Sequence, residues 1–328
     1  MITRIRSVQI VTLLILFSLP FIATAMNQPF WVDLSTRILI YAIAAMSLDI
    51  ILGYGGMVSL GHAMFLGIGA YSVGILTHHS FEGSAVPFLP GEWTGSMSGL
   101  VHLPASILAS SLLGLIIGLL SLRTVGVYFI MITLAFAQMM FYFMISLPTY
   151  GGEDGLNVWG RSEIPGLDLS DSVTFYFVCL MLLLAFWFIA RRLVDSRFGG
   201  VLRGCKQNEQ RLKALGYNTM RYKLIAFTIA GAGAGLAGGL LANLNEFVGP
   251  GIMHWTKSGE LIVMVLLGGM GTLIGPIFGS AALLLLEEIL SAYTEHWMIV
   301  LGPILLLVVL FARRGIYGFL AGEGAKDG

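Results

Sequence analysis

The sequence predicts an all-α, polytopic transmembrane helical bundle of about ten membrane segments, some broken at glycines, with both termini on the cytoplasmic side. Three observations carry that expectation. Composition is the first: 57% of the 328 residues are apolar, 11% are charged, and the mean hydropathy is +0.87. A soluble domain carries about 25% charged residues. The second is that long apolar runs alternate with short polar or Gly/Pro-rich stretches. The third is the placing of charge. Residues 191–223 hold Arg191, Arg192, Arg197, Arg203, Lys206, Arg211, Lys213, Arg221 and Lys223, half of the chain's 18 Lys and Arg, offset only by Asp195 and Glu209. Lys and Arg beside membrane segments stay on the cytoplasmic side, so this loop sets the orientation. The chain, 1–328, reads as a single membrane domain with one sizeable cytoplasmic loop at 191–223.

The elements follow in order. Arg4 and Arg6 precede the apolar run Val8–Ala25, which ends in Ala23-Thr24-Ala25. That pattern also describes a cleavable signal peptide, but the run approaches the ~20 residues a spanning helix needs and is expected to remain as a first helix. Pro29 sits in a short outer turn, and a second helix is expected over Ser35–Leu52. Gly53, Gly55 and Gly56 then fall close together, each costing a helix up to about 1 kcal/mol relative to alanine, so the helix should break there. A third helix is expected to reach about Leu76. His79–Leu103 has Gly, Pro and two acids and no Lys or Arg, which marks an outer loop. Helices are expected over Pro104–Leu122 and Val125–Leu147, followed by an acidic outer loop, Pro148–Asp171.

Val173–Ala190 leads into the basic loop and Leu224–Leu244 leaves it. Gly231, Gly235 and Gly239 recur at four-residue spacing on the latter, a pattern that lets helix backbones approach closely in lipid. Gly259–Ala292 is too long for one crossing and is interrupted by Gly268, Gly269, Gly271, Gly275 and Pro276; two segments are expected to meet near Gly275. Trp297–Ala312 supplies a last helix ending at Arg313-Arg314. This threading leaves only Arg37, Arg161 and Lys257 outside among all the Lys and Arg.

Several chemistries are excluded. The chain has no Walker A motif, no H-E-x-x-H and no G-x-S-x-G, so it cannot hydrolyse ATP by a Walker site and is expected to be non-catalytic. A self-sufficient ion-coupled transporter would need paired acids and bases deep in the bundle. Asp49, Glu287 and Glu288 are the acids inside apolar runs, and each is as readily an interfacial or packed polar residue. Cys179 and Cys205 stand in such different settings that neither a disulfide nor a metal site is expected.

Two glycine-rich stretches resemble one another. Ser59-Leu60-Gly61-His62-Ala63-Met64-Phe65-Leu66-Gly67 compares with Thr272-Leu273-Ile274-Gly275-Pro276-Ile277-Phe278-Gly279, each following a Gly-Gly-Met. Paired, glycine-interrupted helices in the two halves of a transporter point to a substrate path near the breaks; two tight helix junctions would look the same. The candidate path residues are Asp49, Tyr54, Gly56, Ser59, His62, Gln138, Gly269 and Thr272, with His62 taken alone more consistent with a packed polar side chain. In the basic loop, Ser196 can cap a short helix to about Lys206 and Asn208 a second one. Glu209 and Lys213 pair at i,i+4, and Gly216 is placed to end the second helix. Two capped amphipathic helices suit a partner's groove.

With those residues in hand, the chain resembles the permease subunits of branched-chain amino-acid ABC importers. The likeness is carried by Gly53-Tyr54-Gly55-Gly56-Met57-Val58-Ser59-Leu60-Gly61-His62-Ala63, Thr133-Leu134-Ala135-Phe136-Ala137-Gln138 and Gly151-Gly152-Glu153-Asp154-Gly155-Leu156. Ser196-Arg197-Phe198-Gly199, Asn208-Glu209, Ala214-Leu215-Gly216-Tyr217-Asn218, Arg221-Tyr222-Lys223 and Leu267-Gly268-Gly269-Met270-Gly271-Thr272 complete it. The resemblance implies a multi-pass protein of the bacterial inner membrane, paired with a second permease subunit, two cytoplasmic ATP-binding subunits and a periplasmic substrate-binding protein. It implies no cofactor on this chain, ATP being used by the partner subunits. The loop with Arg197, Arg203, Asn208, Glu209, Ala214, Leu215 and Gly216 would be the ATPase-coupling element. Urea and short amides are the alternative substrates. Asp49 and Met57 depart from the resemblance, standing where uncharged polar residues are expected.

Overall fold

The computed structural model describes residues 2–26, 28–87, 93–293, 296, 299–300, 302–303 and 315–321. These residues are mostly helical. α1 (Ile2–Ala25) is followed by α2 (Pro29–Asp49), which runs on through a π-helical turn, Ile50–Tyr54. α3 (His62–Glu82), α4 (Gly99–Ser121) and α5 (Val127–Ile145) come next, then α6 (Ser172–Val194), α7 (Arg197–Ala214) and α8 (Thr219–Asn245). α9 (Trp255–Gly268), α10 (Gly275–Tyr293) and α11 (Gly315–Ala321) complete the described helices. Among the described residues, seven helical spans are long and apolar enough to cross a membrane, namely Ser7–Ala25, Pro29–Tyr54, α4, α5, α6, α8 and α10. Histidines and glycines dilute the apolarity of α3, and α9 has 14 residues, a rise of about 21 Å against an apolar core of ~30 Å. The expected helix Trp297–Ala312 falls almost entirely outside the described residues.

α2 is the enclosed centre, buried on every side from Thr36 to Tyr54 apart from a partly exposed Arg37. α8 packs along α2, α3 and α4, and small residues allow it. A Cβ on Gly69 would lie 2.1 Å from the Gly235 carbonyl oxygen, and one on Gly238 would lie 1.8 Å from that of Leu66. The Gly231/Gly235/Gly239 face meets α4, where Ser110 and Ser106 fill the gap and donate hydrogen bonds to Phe65 O (2.9 Å) and Gly69 O (3.0 Å). Tyr176 ties α6 to α1 by donating to Leu16 O at 2.6 Å.

Several features differ from expectation. α2 begins at Pro29, expected in an outer turn, and not at Ser35; proline suits the first turn of a helix. α3 starts at His62, includes Gly67 and Gly69, and continues past Leu76 to Gly83, whose φ of +66° closes it. Those two glycines permit close packing against Met253 and Gly235. α4 begins at Gly99, before Pro104. A small antiparallel ladder, β1 (Leu156–Asn157) with β2 (Phe247–Val248), joins the acidic loop to the end of α8.

Candidate functional site at the basic-loop end

The basic loop folds as two capped helical pieces. Ser196 Oγ accepts from Phe198 N at 3.2 Å. Asn208 leaves helical geometry (φ −158°, ψ 96°) and divides α7; its Oδ1 accepts from Arg211 N at 2.9 Å, so it begins the second piece. That piece closes at Gly216 (φ +86°), with Gly216 N donating to Lys213 O (3.0 Å) and Tyr217 N to Leu212 O (3.1 Å). This pairing of bonds satisfies the last free carbonyls of a helix and needs a left-handed residue at the turn. Glu209 accepts from Lys213 (3.0 Å), from Thr219 (3.0 Å) and from Lys223 at the base of α8. Burial pushes its carboxyl up, but the bonds from Lys223, Lys213 and Thr219 outweigh that and hold it down to about 2. Arg203 reaches back to Val194 O at 3.2 Å, while Arg197 is exposed.

The loop has two faces. Leu202 and Cys205 are buried against the bundle, and burial pushes the Cys205 thiol above its usual range. The opposite tip is bare: Ala214 and Gly216 are exposed, as are Leu215 (67%) and Tyr217 (44%). A leucine and a tyrosine held outward by rigid capped turns form an apolar knob on a cationic surface.

Directly above the loop, the two glycine breaks meet. Asp49 Oδ1 accepts from Gly271 N at 2.8 Å. A Cβ on Gly53 would lie 2.1 Å from Asp49 Oδ1, 2.5 Å from Gly271 N and 2.8 Å from Gly271 Cα. Thr272 Oγ1 donates to Gly269 O at 2.6 Å, and Gly269 (φ +122°) and Gly271 (φ +79°) carry the chain between α9 and α10. Gly315 of α11 seats on Gly268 and Gly269. Below, Lys206 Nζ donates to Gly53 O at 2.7 Å.

The candidate path residues separate into groups. Asp49, Gly269 and Thr272 share the junction of the breaks, and all three are buried. Gly56, exposed at φ +68°, lies over the Lys206 stem and lines a cavity of about 240 Å³ with Met57, Thr124, Cys205, Glu209 and Lys223. Tyr54 is buried within the π turn. Ser59 accepts from Gly61 N at 3.3 Å. His62 is wholly buried, its Nε2 2.8 Å from Ser47 Oγ of α2. Gln138 is half-buried midway along α5. Sequence reasoning singled out neither Lys206 nor Gly271 individually, although both lie in stretches it quoted. Among the described residues no three His, Cys, Asp or Glu side chains converge as a metal site would require.

At the other end of the bundle, polar side chains fasten the acidic loop. Ser162 Oγ donates to Asn243 Oδ1 (2.6 Å) and pairs with His102 Nδ1 (2.5 Å). Arg161 donates to Leu169 O (3.1 Å), lies over the Phe175 ring and faces Asp33 and Glu246.

Comparison with known proteins gives a consistent result. The permease protein LivM of the high-affinity branched-chain amino acid transport system of Salmonella typhimurium is 28% identical over 330 residues, covering 92% of this chain and 74% of that protein. LivM of Escherichia coli is equally similar. LivH of Escherichia coli, a permease protein of the same system, is 29% identical over 298 residues, 85% of this chain and 91% of that protein. No solved structure matches the chain. The permease component of branched-chain amino acid transport systems matches residues 30–309 as a family, and the chain belongs to that family.

Proposed function

We propose that this chain is one membrane-spanning permease subunit of an ATP-driven importer of branched-chain or related amino acids in the bacterial inner membrane. It crosses the membrane about ten times with both termini in the cytoplasm; α3 and α9 contribute crossings beyond the seven long apolar spans among the described residues. Its partners are a second permease, two cytoplasmic ATP-binding subunits and a substrate-binding protein on the outer face. The existence of two permease relatives in one system, LivM and LivH, supports a heterodimer. The chain itself carries out no bond chemistry and holds no cofactor. Its work is to change the exposure of a path between the subunits when the ATPases bind and hydrolyse ATP.

The observation that carries this reading is the apolar knob. Leu215 and Tyr217 are exposed at the tip of a doubly capped, basic loop whose other face is anchored on the bundle. Exposed apolar residues rimmed by charge mark a protein interaction site, and an amphipathic helix end fits a groove. Co-expression with the ATPases and the second permease, followed by affinity purification, tests it. Leu215→Asp is expected to release the ATPases while retaining the second permease. Gly216→Val, which forces a β-branched residue to φ +86° at a cost of about 1–2 kcal/mol, is expected to act alike. Since nothing lies within 4 Å of a Cβ at Gly216, that effect comes from the backbone. Full ATPase retention and full hydrolysis in both variants would remove this loop from the coupling role.

A further inference from the structure

We propose that Lys206 is a positioning residue, a strut that carries movement of the basic loop into the glycine break of α2 and through it into the break between α9 and α10. The inference deepens the proposed function and rests on it. The last carbonyls of a helix lack intrahelical donors, and a cation beside them also meets the negative end of the helix dipole. Lys206 Nζ fills that place on Gly53 O at 2.7 Å. Its stem is seated as closely as its head. A Cβ on Gly56 would stand 2.8 Å from Lys206 Cγ, and one on Gly55 would stand 3.4 Å from Leu202 Cδ1. The lysine therefore lies along backbone that glycine keeps bare.

What Lys206 grips is a part of α2 able to shift. Ile50–Tyr54 is a π turn, a wider coil that appears inside helices mostly as single turns and frequently at functional sites. The same turn is locked to the second break by Asp49 Oδ1 on Gly271 N at 2.8 Å and by the direct approach of Gly53 to Gly271. The contacts therefore form one continuous chain, from the Leu215 knob through α7 and Lys206 to Gly53, Asp49 and Gly271. Coupling between distant sites travels through such packed and hydrogen-bonded connections when the element they hold has two arrangements. The 240 Å³ cavity on the Gly56 side of Lys206 leaves room for the strut to swing. Glu209, held by Lys213, Lys223 and Thr219, keeps the second helical piece aligned with α8, and Leu212 of that piece packs over Gly204 of the first, the contact through which a push on the knob reaches Lys206.

The test compares Lys206→Met, which keeps the stem and removes the donor, with Lys206→Arg, which keeps charge and donor. Both are measured in the complete complex in vesicles with binding protein and labelled leucine. Lys206→Met is expected to retain the ATPases and their unstimulated hydrolysis, and to lose stimulated hydrolysis and uptake by about tenfold, the scale of one charge-assisted hydrogen bond. Lys206→Arg is expected to recover most of that loss. Hydrogen exchange of the 50–57 amides is expected to rise in Lys206→Met and not in Lys206→Arg, with α7 unchanged in both. Loss of the ATPases from Lys206→Met would make the residue a docking contact and overturn the strut. Normal coupling in Lys206→Met, an equal defect in Lys206→Arg, or failure of both variants to fold would overturn it too. Absence of ATP-dependent uptake in the unmodified complex would instead remove the proposed function, and the strut with it.

Discussion

The junction of the two breaks makes Gly53→Ala an exacting substitution. Alanine is ordinarily the better helix former by up to about 1 kcal/mol, so local propensity alone calls for stabilisation. The structure calls for the opposite. The new Cβ would stand 2.1 Å from Asp49 Oδ1, 2.5 Å from Gly271 N and 2.8 Å from Gly271 Cα. Two of the three are backbone atoms, which cannot rotate away, so the two breaks must move apart by about an ångström. Overpacking of a tight interior costs roughly 1–3 kcal/mol. Separation also breaks the bond from Gly271 N to Asp49, worth about 0.5–1.5 kcal/mol. The two losses overlap, and a destabilisation of about 1–4 kcal/mol is expected. The assay is thermal unfolding of the purified protein in detergent, with two comparisons. Gly200→Ala, where nothing lies within 4 Å of the added atom, is expected to be neutral or stabilising. Asp49→Asn keeps an acceptor for Gly271 N and is expected to be milder than Gly53→Ala. Gly53→Ala melting with or above the unmodified protein would refute the contact between the breaks.

Two further outcomes are expected. Glu209 is held near 2, below the usual carboxylate range of about 4.5. A group depressed in the fold stabilises it above the unfolded value and loses that contribution as pH falls through the folded value. Order in the 209–219 segment is therefore expected to persist at about pH 4.5 and to fail toward pH 2, seen as accelerating pepsin nicking relative to an unstructured peptide. Glu209→Gln is expected to nick faster at the upper end of that window; nicking indistinguishable from the unmodified protein throughout would contradict the network. For orientation, a cysteine replacing exposed Asp154 is expected to react with an impermeant reagent in intact cells, and one replacing exposed Gln210 to react only after permeabilisation; the reverse pattern would invert the threading.

Much of this was legible in the residues, and the reason lies in range. Ser196, Asn208 and Gly216 act on amides within three residues of themselves or on their own φ, so their capping roles can be read from sequence, and the structure bears the caps out. The break at Gly53–Gly56 and the one between Gly268 and Gly275 followed from helix propensity in the same way. That these breaks touch did not follow, because Asp49 and Gly271 are 222 residues apart and the bond uses a backbone N–H that every non-proline residue has. Gly67 and Gly69 illustrate the converse. Each carries a local cost in a helix, yet contacts with Met253 and Gly235, far along the chain, repay it and the helix runs through. His62 carries no sequence mark of its partner, since Ser47 lies on the preceding helix. The β1/β2 ladder is two residues long on each side, too short to leave an alternating pattern.

The central claim is that this chain passes substrate only when separate ATPases drive it. The most direct measurement is uptake of labelled leucine by vesicles holding the chain with its second permease and ATPases, binding protein outside and ATP within. Unlabelled isoleucine, valine and urea serve as competitors. Uptake is expected to require internal ATP and the ATPases, to survive collapse of ion gradients, and to yield to the branched-chain amino acids and not to urea. Accumulation by the chain without ATPases under an ion gradient would contradict the claim.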